Sequence, residues 1–339
     1  MVDTMARLSV FLRTARLRGG SARPAAGLPA DDEALLDAPD DRLAPALVGA
    51  AQGTHRAAAE LLAATRRDAE WDRRDRYATR LAAFARSRPD WLDAWRAADP
   101  GDPDAALVGA RLAVDRHWES PARTELLDQA EPAVMAAARD GGPDPVPWRV
   151  ALDCARGRRA GHAEFAHLWA EAVRRAPHHY GCHLAALQYL AAASPGAHRE
   201  CLDFAETAAQ DAPEGALVRA LPLRAAYRCL TEAGPEAVGR DRLHAAADLA
   251  IALSAGLPPA DPWPAPLRNL LLYVLVRLGR PADAAEQLRL TGPYATSFPW
   301  EREAEDPLGR FLQVRDEIRS AVSGRPGNGR GAHAGPDDH

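Results

Sequence analysis

Alanine constrains the fold of this chain more than any other feature, because it supplies 75 of the 339 residues. It is the strongest helix former, and its small side chain lets neighbouring helices approach closely. Isoleucine occurs only at Ile251 and Ile318, and aromatic residues make up 6% of the chain. Because strands favour β-branched and aromatic side chains, the composition predicts an all-α protein.

The charged residues exclude several classes of function. Lysine is absent, so all 42 basic residues are arginine, and catalysis through a P-loop lysine or a Schiff base is excluded. Codon bias explains this absence simply; a surface selected for bidentate arginine contacts is the alternative. The net charge is −5, and the arginine pairs stand among Asp and Glu. We therefore predict no nucleic-acid binding.

Pro and Gly interrupt the chain at intervals typical of helix–helix turns, and no segment alternates as a strand does. Helices are predicted at 43–66, 69–87, 90–98, 103–118, 121–139, 145–157, 161–175, 179–193, 196–210, 215–231, 235–255, 265–278, 281–289 and 307–322. Residues 43–322 are thus predicted to form one helical-repeat domain. It follows an N-terminal segment, 1–42, and precedes a disordered tail, 323–339, that is rich in Gly and Pro.

Two neighbouring predicted hairpins look alike. Their turns contain Ala176-Pro177 and Ala212-Pro213, which lie 36 residues apart. This spacing is close to the period of about 34 residues in tetratricopeptide repeats. Short connections make neighbouring helices antiparallel. The pattern therefore predicts an α-solenoid of antiparallel helix hairpins in a superhelix.

Three stretches resemble a group of actinobacterial tetratricopeptide-like helical-repeat proteins known as a domain of unknown function. They are 88–120 (beginning RPDWLDAWRAADPGDP), 178–215 (beginning HHYGCHLAALQYL) and 279–318 (beginning GRPADAAEQLRL). Where relatives often carry Trp-Gly after a helix, residues 192–196 read AASPG. The resemblance implies a helical-repeat fold and supplies no catalytic residue.

The ends of the chain and its cysteines bear on localisation. Residues 5–18 place arginines around an apolar helical face, which favours a docking helix, with contact to a membrane surface as the alternative. Translation could start at Met1 or Met5, and residues 19–41 are predicted to be a linker. The four cysteines lack CxxC spacing and stand in apolar helical contexts, which predicts buried free thiols and a cytoplasmic protein.

Aromatic residues supply the candidate binding surface. The i, i+4 spacing of Trp91 and Trp95 places both on one helical face. A solenoid exposes a concave surface, on which aromatic and arginine side chains can hold a peptide. The candidate residues are Trp91, Trp95, Trp118, Trp169 and Tyr180. Each of these aromatics could instead fill the core.

Histidines supply an alternative candidate site. Six of the eleven lie between positions 162 and 198. Imidazole and carboxylate groups bind zinc or iron, and helical-bundle metal sites use the Glu-x-x-His pattern of Glu164 and His167. His179 and His183 share a face of the next predicted helix, and Cys182 could add a ligand. These histidines could instead be half-buried groups beside the Pro177 turn.

The function predicted from the sequence is a non-catalytic helical-repeat module that binds a protein or peptide on its concave face, with no cofactor. The alternative is a metal-dependent helical enzyme or accessory protein that uses Glu164, His167, His179 and His183. The partner, the oligomeric state and the pathway cannot be derived from the sequence.

Overall fold

The computed structural model describes residues 30–194 and 196–323, and this part of the chain is almost entirely helical. Its α-helices are α1 (Leu43–Ala51), α2 (Arg56–Arg67), α3 (Trp71–Ser87), α4 (Asp90–Ala98), α5 (Pro103–His117), α6 (Arg123–Asp140), α7 (Val146–Arg158), α8 (His162–Arg175), α9 (Tyr180–Ala193), α10 (His198–Gln210), α11 (Leu221–Glu232), α12 (Arg240–Ala255), α13 (Ala265–Arg277), α14 (Pro281–Thr291), α15 (Ser297–Trp300) and α16 (Pro307–Ser323). Two-residue strands lie at β1 (Leu35–Leu36) and β2 (Tyr294–Ala295), and short 3₁₀ turns at Asp31–Glu33, Leu217–Ala220 and Pro235–Ala237. The prediction of an all-α protein is confirmed.

Most predicted helices agree with the structure to within a few residues, and α4 spans the predicted residues 90–98. The single helix predicted at 43–66 is wrong, because α1 ends at Ala51 and α2 begins at Arg56. Gly53 between them has a φ of +81°. This left-handed conformation costs glycine little and reverses the chain. The short helix α15 and the two strands were not predicted.

Aspartate side chains cap several helices. Asp102 accepts hydrogen bonds from the backbone N–H groups of Asp104 and Ala105 at the start of α5. Asp72, on α3, accepts one at 3.0 Å from the N–H of Tyr180 at the start of α9. A helix begins with unpaired N–H groups and a positive dipole end, so a carboxylate there stabilises it. The second cap also joins helices that are distant in sequence.

Successive helices pack against each other, and alternate helices also form a row in which α3, α5, α7, α9, α11 and α13 each contact the next. The Ala176-Pro177 and Ala212-Pro213 turns occupy equivalent places, each leading from a helix outside the row into one within it. The two ends of the row meet, because the Arg76 guanidinium on α3 donates to the carbonyl of Trp263, just before α13. The same guanidinium lies 3.7 Å from the centroid of the Trp263 ring.

The segment before α1, residues 30–41, packs near the place where the two ends of the row meet. β1 pairs in parallel with β2, and the Asp37 carboxylate accepts hydrogen bonds from the N–H and hydroxyl of Ser297. Asp40 accepts a 2.6 Å hydrogen bond from the hydroxyl of Tyr77 on α3. Residues 30–41, the described part of the predicted linker, are therefore packed against both α3 and the segment of β2 and Ser297. The predicted amphipathic helix at 5–18 and the tail beyond residue 323 lie outside the described residues.

The core is built mainly from alanine and leucine, with a few large aromatic side chains filling the spaces between helices. Trp91, Trp95 and Trp300 are each 1% exposed. Cys154, Cys182, Cys201 and Cys229 are buried and free, so the prediction for the thiols is confirmed. Helix α9 contributes to both halves of the core: Cys182 and Ala186 pack toward the N-terminal half, and Leu187 and Ala191 toward the C-terminal half.

Arginine also enters the interior. Arg74 is 0% exposed, and it donates to Asp144 and Asp104 at 2.6 Å each and to the Leu62 carbonyl at 2.8 Å. The planar guanidinium can serve several acceptors at once, which a lysine ammonium does less well. The network ties α2, α3 and the start of α5 to the turn before α7. None of the helices within the described residues is both long and apolar enough to cross a membrane.

Candidate functional site

The structure separates the five aromatic residues predicted to bind a partner. Trp91 and Trp95 belong to the core, and the Trp95 indole donates a 3.0 Å hydrogen bond to Asp102. Trp118 is half-buried, with the Arg156 guanidinium 4.3 Å from its ring. Side chains in the core cannot contact a partner, so the tryptophans on α4 do not form a binding surface.

The other two aromatics lie around α9. Trp169 is half-buried, and its ring meets those of His183, at 4.9 Å, and Phe204, at 5.9 Å between centroids. Tyr180 is half-buried at the first position of α9. Burial raises the pKa of Tyr180, whereas the positive charge of Arg224 opposes this.

The structure does not bring the four predicted metal ligands together. Glu164 and His167 are exposed, and Glu164 binds Arg158 at 2.9 Å. His183 is buried, and its Nε2 lies 2.7 Å from the carbonyl oxygen of Pro177. Burial lowers the pKa of His183, so this nitrogen donates from a neutral ring. Within residues 30–194 and 196–323, no group of three or more His, Cys, Asp and Glu side chains has an arrangement suited to a metal ion.

His179 has an environment that sequence reasoning did not anticipate. Its Nδ1 lies 3.0 Å from the sulfur of Cys182, and its Nε2 lies 3.6 Å from Asp72 and 3.9 Å from Asp75. A thiol, an imidazole and a carboxylate in this order also occur in cysteine hydrolases. Here Cys182 is 0% exposed, and burial raises its pKa well above the ordinary value. The thiol therefore has neither the access nor the ionisation that a nucleophile needs.

A cleft of about 500 Å³ lies beside this group, between the start of α3 and the turn from α8 to α9. Its cations are already paired with carboxylates: Arg73 with Asp40 at 3.4 Å, and Arg175 with Glu171 at 2.7 Å. The two arginines of the cleft are thus already neutralised, whereas the buried Nε2 of His179, which also lines it, has no hydrogen-bond partner within the described residues.

A second opening has a different character. It measures about 490 Å³ and lies between α9, α11, α13 and the segment around α15. We call it the arginine groove. Its lining residues are Leu184, Leu187, Gln188, Arg224, Tyr227, Arg228, Leu230, Thr231, Glu232, Tyr273, Arg277, Phe298, Arg302 and Glu303. Three consecutive helices of the row therefore supply its walls.

Aromatic rings form one side of the arginine groove. Tyr227 meets Phe298 at 5.1 Å between centroids and Tyr273 at 5.1 Å, with interplanar angles of 70° and 63°. Such edge-to-face contacts hold large rings rigidly. The Arg224 guanidinium lies 3.9 Å from the centroid of Phe298. The groove thus offers fixed apolar surfaces next to a cation.

The charges of the arginine groove do not cancel. Arg228 is paired with Glu232 at 2.9 Å, and Arg277 with Glu303 at 2.9 Å. Two further arginines, Arg224 and Arg302, make no ion pair with any residue in the described part of the chain. Four guanidinium groups therefore face two carboxylates.

Sequence reasoning missed this groove. Arg224 and Tyr227 lie three positions apart, on one face of a predicted helix, and this spacing was the available signal. Phe298 and Arg302 lie in a segment for which no helix was predicted.

Comparison of the chain with protein-family models, curated proteins and solved structures finds no match.

Proposed function

We propose that this protein is a non-catalytic interaction module that binds a protein or peptide segment in the arginine groove. The observation that carries the proposal is the juxtaposition of packed aromatic walls with two guanidinium groups that have no carboxylate partner among residues 30–194 and 196–323. Aromatic and arginine side chains are enriched among the residues that dominate binding energy at interfaces. The proposal keeps the predicted binding of a partner by aromatic and arginine side chains. It assigns that binding to Tyr227, Phe298 and Arg224 instead of Trp91 and Trp95.

The architecture and setting of the module are part of the proposal. We propose that its hairpins are tetratricopeptide-like repeat units of an α-solenoid, and that the chain belongs with the actinobacterial helical-repeat proteins it resembles. The equivalent places of the two Ala-Pro turns support the repeat. We also propose that it works in the cytoplasm, where its four free thiols would stay reduced.

Peptide display tests the proposed function. A random peptide library is selected on the full chain, and each recovered peptide is then measured against a blocked variant, Thr231→Trp. Thr231 is an exposed residue of the groove, and its hydroxyl bonds to the carbonyl of Tyr227 one turn earlier. The new indole occupies the space that a peptide needs.

Thr207→Trp is the matched control. Thr207 is also exposed and also bonds to a carbonyl one turn earlier, that of Asp203, but it lies on α10 outside the groove. We expect selected peptides to bind the wild type and Thr207→Trp equally, and to lose affinity for Thr231→Trp. Equal binding to both variants, or no enriched peptide, would contradict the proposal.

A further inference from the structure

Arg224 and Arg302 line the same groove as Tyr227. Burial raises the pKa of Tyr227; the positive charges of these two arginines oppose that rise, and the carboxylates of Glu303 and Glu301 add to it. Arg224 is half-buried and held over Phe298, which packs on Tyr227, whereas Arg302 is exposed just beyond α15. The two cations thus enter the groove from different elements of the fold.

The carboxylates that line the groove are already bound by other arginines. Glu232 accepts from Arg228, and Glu303 accepts from both Arg277 and Arg310. Among the lining residues, four guanidinium groups therefore stand against two carboxylates, and neither carboxylate is paired with Arg224 or Arg302.

We propose that the arginine groove recognises an acidic peptide segment, with Arg224 and Arg302 donating to its Asp or Glu carboxylates and Tyr227 and Phe298 packing against its apolar atoms. The inference rests on the proposed function and names the chemistry of the partner. A guanidinium fits a carboxylate with two parallel hydrogen bonds. The volume of about 490 Å³ exceeds what a lone small anion would fill.

The test uses the peptides recovered by display. Each is labelled with fluorescein and compared with a copy in which every Asp and Glu is replaced by Asn and Gln. Anisotropy titrations are run at about 0.15 M and about 1 M salt, between which the Debye length falls from ~8 Å to ~3 Å. We expect the amide copies to bind about tenfold more weakly, and high salt to weaken only the acidic peptides.

Two variants of the full chain assign the effect to the groove. Arg302→Gln removes an exposed cation of the groove, and Arg240→Gln removes an exposed cation elsewhere, which is paired with Glu236. Neither side chain lies in the core, so both variants should fold. We expect Arg302→Gln to weaken acidic peptides about tenfold, and Arg240→Gln to leave the affinity unchanged.

Three outcomes would overturn the inference. Equal affinity of acidic peptides and amide copies would refute carboxylate recognition, while the proposed peptide-binding function would stand. Equal losses in Arg302→Gln and Arg240→Gln would mean that only the overall charge matters. The sequence from 324 to 339 contains Asp337 and Asp338. If a chain ending at residue 323 binds the peptides more than about tenfold tighter, the groove serves the chain's own C-terminal segment and not a separate partner.

Discussion

Replacing Arg74 by Met should cost more stability than any other single loss of charge described above. The substitution leaves Asp144, which is 1% exposed, without its guanidinium donor, and it leaves Asp104, which is 2% exposed, with only its 3.3 Å ion pair to Arg66. The Leu62 carbonyl loses a donor as well. Removing one partner of a buried ion pair costs about 3–5 kcal/mol, because the remaining charge is neither hydrated nor paired. With a urea m-value of about 3 kcal/mol/M, the midpoint should fall by about 1 to 1.7 M.

Urea unfolding followed by far-UV circular dichroism measures this shift, with Arg42→Met as the matched control. Arg42 binds Glu70 with two hydrogen bonds, of 2.9 and 2.7 Å, but its side chain is 40% exposed. Exposed pairs contribute at most ~1 kcal/mol. A loss of stability in Arg74→Met no larger than that in Arg42→Met would contradict a dominant role of the buried Arg74 network.

The pH dependence separates lost charge pairing from lost packing. Burial raises the pKa of Asp104, and Arg74 opposes this. Without Arg74 the pKa should rise further, so Asp104 takes up a proton in the folded state as the pH falls. The penalty is present above the ordinary carboxyl pKa of about 4 and is relieved by acidification toward it. The gap between wild type and Arg74→Met should therefore be smaller near pH 5 than at pH 7.5, whereas a packing defect would be independent of pH.

Three further predictions concern the surroundings of α9. Gly181→Ala would place a Cβ in a clash with a carboxylate oxygen of Asp75, so the free energy of unfolding measured in urea should fall by about 1–3 kcal/mol. In the control Gly161→Ala the new Cβ meets no atom within 4 Å, so the free energy of unfolding should change little. Because the pKa of His183 is lowered in the folded state, the unfolded chain binds more protons below about pH 6.5. The free energy of unfolding should therefore decrease as the pH falls from there to the folded-state pKa, and it should decrease less steeply in His183→Gln. An equally steep decrease in the variant would contradict this. Cys182 and the other buried thiols should react with Ellman's reagent only after unfolding. Rapid reaction of a thiol in the native chain would contradict this and would show that the helix carrying it opens readily.

The helical content could be predicted because the evidence for it is local. Alanine-rich segments bounded by Pro or Gly set the ends of α4 and α9 to within one residue. The break between α1 and α2 was also marked in the sequence, by Gly53, but the apolar face continued across it and favoured a single helix. The strand pair could not be predicted, since β1 and β2 are two residues each and pair across 259 positions.

For the candidate binding site, the sequence predicted the types of side chain involved but not their positions. Aromatic and arginine side chains were expected to bind a partner, but which tryptophans are accessible depends on how each helix is rotated against its neighbours. The i, i+4 pair Trp91 and Trp95 is equally consistent with a surface and with a core, and packing of α4 on α5 buries it. The arginine groove joins residues from 184 to 303, and only the tertiary fold brings them together.

A crystal structure of the full chain with a display-selected acidic peptide would locate the bound peptide. We expect electron density for the peptide between α9, α11 and α13, with a carboxylate about 2.7–2.9 Å from the guanidinium of Arg224 or Arg302. A peptide bound elsewhere, for example in the cleft between α3 and α9, would contradict this expectation, as would a peptide in the groove whose carboxylates point away from both arginines.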